Sequence, residues 1–249
     1  DRFDATLTLW PGEPKALRSG TPVHVHVGAA AVLGSVAVLD GETLAPGASA
    51  RVQLVLRERI GAWHGDRVVL RDASATRTLA GGVVLDPLAP ARYRRTPQRL
   101  SELAALALPA LASRQAALLQ VAPQGVDLQQ LHRAAGAATV PAQQWALGAQ
   151  QTVDAQALVL AALSAFHARA PDDPGPDAAR LRRLALPRLN DALWRQLLEG
   201  LLADGRVART SAFVHLPEHG VRLSATEQRL AQKVGPTLAL GSFDGVWVR

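Results

Sequence analysis

Cysteine is absent from the 249 residues, and so is methionine. Without thiols there is no disulfide framework, no zinc ribbon and no cysteine nucleophile; the absence is compatible with a reducing compartment. Aromatic residues make up only 4% of the chain, too few for a platform on which successive bases stack. Lysine is confined to Lys15, in EPKA, and Lys233, in AQKV. Neither stands in the G-x-x-x-x-G-K-[ST] loop that cradles nucleotide phosphates, so the sequence holds no P-loop. No G-x-S-x-G elbow marks a serine hydrolase. The longest apolar helical run, residues 157–166, falls short of the ~20 residues that cross a bilayer. The opening DRFDATLTLW lacks the basic-then-apolar order of a signal peptide. A soluble, cytoplasmic protein is expected, and the start at Asp1 suggests a piece of a longer one.

What is present supports a folded chain. Apolar residues are 48% and charged residues 19%, which excludes disorder along the whole length, and the length suggests two or so domains. The net charge of +6 is unevenly placed. Residues 1–90 carry 9 basic and 9 acidic side chains, whereas residues 91–249 carry 18 and 12. Arg92, Arg94, Arg95 and Arg99 form one arginine group; Arg180, Arg182, Arg183 and Arg188 form another. Such groups either neutralise phosphates or line a solvated helix face.

The hydrophobic period changes along the chain. Phe3, Ala5, Leu7 and Leu9 alternate with more polar residues, as do Val23, Val25 and Val27, and Val52, Leu54 and Leu56. This is the period of half-buried strands, and glycines punctuate them at turn spacing, which predicts an all-β barrel or sandwich. Beyond Pro90 the stripes become helical: Leu100, Leu103, Ala107 and Leu111; then residues 153–167; then Leu193, Leu197, Leu198, Leu201 and Leu202, closed by Gly205. RVARTSAFVHL, residues 206–216, alternates like a short hairpin. Helices, a glycine and a hairpin follow the order of a winged helix. The fold class expected is therefore multidomain: a barrel, a hinge at residues 87–97, and tandem mostly-α winged helices.

One segment carries more information. GDRVVLRDASATRTLAGGVVLDP, residues 65–87, resembles the end of the third domain of the bacterial selenocysteine-specific elongation factors, the SelB family, and more distantly that of elongation factor Tu. LLEGLLADGRVARTSAFVHLPEHGVRLSATEQRL is similar to the close of that family's second winged helix, and GSFDGVWVR to the opening of a third. The resemblance implies domains at 1–90 (barrel), 91–153 and 154–220 (winged helices) and 221–249 (the start of a third). It implies GTP and magnesium in a domain upstream of this chain and no cofactor within it. It also implies three partners: selenocysteyl-tRNA, the ribosome, and an mRNA hairpin at UGA codons gripped mainly by further downstream winged helices.

Candidate RNA-binding residues follow from that resemblance and from the charge. In the barrel they are Arg71 and Arg77, the latter ahead of a TLAGG turn. In the linker they are Arg92, Arg94 and Arg95. In the second winged helix they are Arg188, Asn190 and Arg195, at the start of or within the expected reading helix, with Arg206 and Arg209 beside the wing. Trp194 is read as core. His24 and His26 share a strand face without a third ligand, His215 and His219 flank LPE, and His167 is read as a cap near its helix C-terminus, where a cation or a donor is favoured; no metal site is expected. The competing reading is a winged-helix DNA-binding regulator with a β-barrel sensor domain.

Overall fold

Strand β1 (Arg2–Leu9) buries Phe3, Ala5, Leu7 and Leu9 on one face, as the alternation requires. The same rule operates in β3 (Pro22–Val27) and β7 (Arg67–Arg71), whereas β4 (Ala30–Val38), β6 (Ser49–Leu56) and β8 (Thr78–Asp86) also bury consecutive residues. These six close into an antiparallel barrel in the order β1-β6-β4-β3-β7-β8, which leaves no open edge among them. The short strands β2 (Leu17–Arg18) and β5 (Thr43–Leu44) pair separately and send Leu17 and Leu44 into the barrel core. A computed structural model provides this description, which covers residues 1–220, 229–230 and 232–236. The expected third winged helix at 221–249 lies largely outside the described residues.

The TLAGG segment is not a turn. Gly81 and Gly82 sit inside β8, and Gly82 passes so close to β1 that a Cβ there would land on the Thr6 carbonyl. The turn lies earlier, at residues 72–77. There the Asp72 carboxylate accepts from the Thr76 hydroxyl and from the backbone N–H of Thr76 and Arg77. Those bonds, led by the Thr76 hydroxyl, hold the Asp72 pKa down to about 2. Gly82→Ala is expected to destabilise the barrel by about 3 kcal/mol through overpacking. An unchanged denaturation midpoint would show that β1 and β8 are not so closely apposed.

Three helices and two short strands follow the barrel within the same compact unit, Asp1–Gln151. Helix α1 (Pro97–Leu106) starts at Thr96, whose side chain accepts from the Arg99 N–H, and α2 (Leu111–Val121) follows a short turn. Asp127 caps α3 (Leu128–Ala134), and β9 (Val126–Asp127) pairs with β10 (Trp145–Ala146). Leu39 and Leu85 from the barrel join Leu103, Leu106, Leu118 and Leu131 in a second core cluster.

The segment expected to be a hinge, 87–97, is instead fastened to the barrel. Gln53 donates to the Pro90 carbonyl, and Arg95 donates to the Val38 carbonyl and to Ser19 while pairing with Glu42 at 2.8 Å. Arg99 reaches Asp4 at 2.6 Å and Asp86 at 2.5 Å. The physical reason is Asp4: it lies on the outer face of β1 yet is fully buried, and a buried carboxylate needs a partner. Arg99, grouped by sequence with solvent- or phosphate-facing arginines, supplies it.

The second unit is Thr152–Arg249, and the division falls in the first turn of α4 (Ala149–Arg169). Asp177 caps α5 (Ala178–Ala185) and Asn190 caps α6 (Asp191–Ala203). Gly205 then takes a positive φ of 66°, and β11 (Ala208–Thr210) pairs with β12 (Phe213–His215) as the wing. Val159, Leu163, Leu181, Leu193, Trp194, Leu197 and Leu201 are buried.

Candidate nucleic-acid interface

The cations of the second unit divide into those held by the fold and those presented to solvent. Arg182 donates to the Asp191 carboxylate and the Leu189 carbonyl, tying α5 to the start of α6. Arg180 stacks over the Phe166 ring at 4.9 Å, a cation–π contact. Arg183, Arg188, Arg195 and Arg209 are exposed. Among the described residues Arg195 makes only a long bond, 3.4 Å, back to the Asp191 carbonyl on its own helix. Arg206 is exposed and donates to Gln156. Thus α6 and the residues at the wing carry exposed arginines.

Asn190 has a local task. Its Oδ1 accepts from the Ala192 N–H at 2.8 Å, which starts α6 and so positions Arg195 one turn later. Trp194 is 5% exposed and belongs to the core.

In the first unit, Arg71 and Arg77 lie at the same end of the barrel, flanking the Asp72 turn. Arg77 is exposed but anchored on Glu13 at 2.7 Å. Arg71 is half-buried and its Nε has no partner. Arg92 is exposed, whereas Arg94 contacts Gln53 and Arg95 is bound to the barrel as described. The linker arginines therefore do not form one phosphate-facing group.

Histidine placement departs from the simplest reading. His167 is buried, with Nε2 accepting from the Leu216 N–H and its ring stacked on His219 at 3.5 Å. Burial, then the neighbouring His219 and His215, push its pKa below the ordinary 6.5, so it is a neutral ring and not a cation at the helix end. Nothing in the sequence linked His167 to a histidine 52 positions later. Among the described residues no cluster of three or more His, Cys, Asp or Glu side chains is arranged to hold a metal.

The sign of the resulting pH dependence follows. His167 stays neutral in the fold while the unfolded chain protonates near 6.5, so its contribution is complete above that value. It is lost as pH falls through the depressed folded value. Asp173 works the other way but weakly, and His215 and His219 add to the effect. Melting of the second unit is expected at lower temperature at pH 5.5 than at 7.5, with a smaller difference in His167→Gln. A pH-independent melt would contradict the buried neutral ring.

Two family models match the chain: "Selenocysteine-specific elongation factor, beta-barrel domain" over residues 4–91, and "Elongation factor SelB, winged helix" over residues 160–216. The selenocysteine-specific elongation factor of Escherichia coli is 31% identical over 254 residues, covering 92% of this chain and 37% of that protein. That of Haemophilus influenzae is 28% identical over 244 residues, covering 94% of this chain and 39% of that protein. The crystal structure of a bacterial selenocysteine-specific elongation factor, EF-Sec, shares the fold with a TM-score of 0.62 at 16% identity, over 96% of this chain and 38% of that one. The chain thus spans well under half the length of the relatives it matches.

Proposed function

Because the chain belongs to the selenocysteine-specific elongation factor family, we propose that it is the tRNA-facing barrel and the RNA-binding, spacing arm of such a factor. In this reading the complete protein uses GTP and magnesium in an upstream domain. It carries selenocysteyl-tRNA to the ribosome in the cytoplasm, at UGA codons marked by an mRNA hairpin. The barrel end bearing Arg71 and Arg77 faces tRNA. The arginines of α6 and the wing meet RNA phosphates, and further winged helices grip the hairpin.

The observation that carries this reading is the order of parts: a closed six-stranded barrel, then helical units ending in a winged helix, within matches that run over more than nine-tenths of the chain. Phosphate contacts position a protein without reading sequence, and an RNA duplex hides its major groove, so such an arm serves as grip and spacer. Competition between tRNA and duplex DNA tests it. The chain is expected to prefer RNA; preference for a duplex DNA would favour a DNA-binding regulator. Calorimetry with GTP is expected to give no heat of binding, since no P-loop lies within these residues. A micromolar GTP site would refute that.

A further inference from the structure

Arg114, in α2, is a buried cation without a carboxylate beside it. It is 7% exposed. Its Nη1 donates to the Leu108 and Pro109 carbonyls at 3.2 and 3.1 Å and to His64 Nε2 at 2.7 Å. His64 in turn places Nδ1 at 2.7 Å from the Leu85 carbonyl. That bond puts the ring proton on Nδ1 and leaves Nε2 as the acceptor for Arg114. Burial lowers the His64 pKa and Arg114 lowers it too, against the Leu85 carbonyl and Asp86, which raise it; Nε2, facing the guanidinium N–H at 2.7 Å, acts as the acceptor of a neutral ring. Among the described residues every hydrogen-bond partner of the guanidinium is therefore neutral, and the enclosed Nε has none.

Arg99 shows the contrast within the same unit. Similarly buried, it is met by Asp4 and Asp86. A buried charge is ordinarily paired, because desolvation is costly and a neutral hydrogen bond offsets little of it. Arg114 lacks the counter-ion, and it lines a cleft of about 550 Å³ shared with Thr6, His64, Gly65, Leu108 and Ala135. The cleft has the size and the mixture of apolar wall and few polar groups typical of ligand sites.

We propose that this cleft is an oxyanion site for a phosphate group, whose oxygen accepts from the Arg114 guanidinium, with Thr6 in the same wall. An arginine fork suits phosphate, and a low-polarity wall strengthens the charge-assisted bond. His64 holds the guanidinium in place through Nη1. The site lies between the barrel and the α1–α2 turn, and it does not depend on the reading of α6 as an RNA-binding helix. The phosphate is supplied either by a free phosphate or phosphomonoester or by the backbone of a nucleic acid strand.

The test uses the full chain, inorganic phosphate, and a short single-stranded RNA without terminal phosphates. Millimolar phosphate is expected to raise the melting temperature of the wild type and to move the backbone amide signals of Gly65, Leu108 and Arg114 saturably. In Arg114→Met the phosphate affinity is expected to fall about 10-fold or more, and Arg114→Lys, which keeps the charge without the fork, is expected to fall between. RNA that moves the same amides and competes with phosphate assigns the site to a nucleic acid backbone. Phosphate binding without RNA competition assigns it to a free phosphate or phosphomonoester. No saturable shift in the wild type, or equal phosphate affinity in Arg114→Met, overturns the proposal. Should Arg114→Met fail to fold, the wild-type amide titration decides alone.

Discussion

Arg99→Ala is expected to cost the first unit about 3–5 kcal/mol, close to the full stability of a small domain. The side chain donates to Asp4 through Nε and Nη2 at 3.2 and 2.6 Å, and to Asp86 through Nη2 at 2.5 Å. Asp4 is fully buried, with Gln53 as its other donor at 3.0 Å. Burial is the largest influence on both ionisable groups. It pushes the Asp4 carboxyl up, with Arg99 and Gln53 opposing. It also works against the charge of Arg99, but Asp86 and Asp4 more than offset it and hold the guanidinium a firm cation. With that cation at 2.6 Å, the ion pair is the folded form of both side chains. Alanine would leave Asp4 buried beside a single amide donor. The double variant Asp4→Asn, Arg99→Met should recover much of the loss, because removing both charges also removes both desolvation costs. Urea denaturation checks this; a loss below about 1 kcal/mol would match an exposed ion pair rather than a buried one.

The second large effect concerns binding. Arg188→Ala, Arg195→Ala and Arg209→Ala together are expected to weaken RNA binding about 100-fold at ~0.1 M salt. Each phosphate neutralised contributes a log–log salt slope of about 0.7 on a single strand, so three lost contacts reduce the slope by about 2. All three side chains are exposed, so the folded structure should survive their loss. Filter binding over a salt series checks the affinity and the slope together. An unchanged slope would place the phosphate contacts elsewhere.

Much of the architecture is legible in the sequence because burial there follows a simple period. The apolar alternation in β1, β3 and β6 predicts their inward faces, and Leu193, Leu197 and Leu201 predict the buried face of α6. The outward faces are harder. Asp4 and Gln53 stand where alternation predicts solvent, and the linker that meets Gln53 and the α1 arginine that meets Asp4 account for their burial. For the same reason Arg95 and Arg99 look like members of a phosphate-binding group, although each meets an acid from the distant barrel strands and loops. Asp4 and Arg99 are 95 positions apart, and no local pattern links them. His64 and Arg114 are likewise joined only by the packing of the first helical segment on the barrel. The exposure of Arg195 and Arg209 follows from their place outside the apolar stripe and needs no distant partner, whereas the bond of Arg206 to Gln156 could not be read from the local pattern.

Adding an RNA hairpin to the isotopically labelled chain and following its backbone amides tests the account at its centre. The amides of Arg188, Arg195 and Arg209 are expected to move together, and to return toward their free positions as salt is raised. Movement confined to the opposite face of the second unit, or shifts indifferent to salt, would contradict the assignment of α6 and its wing to RNA.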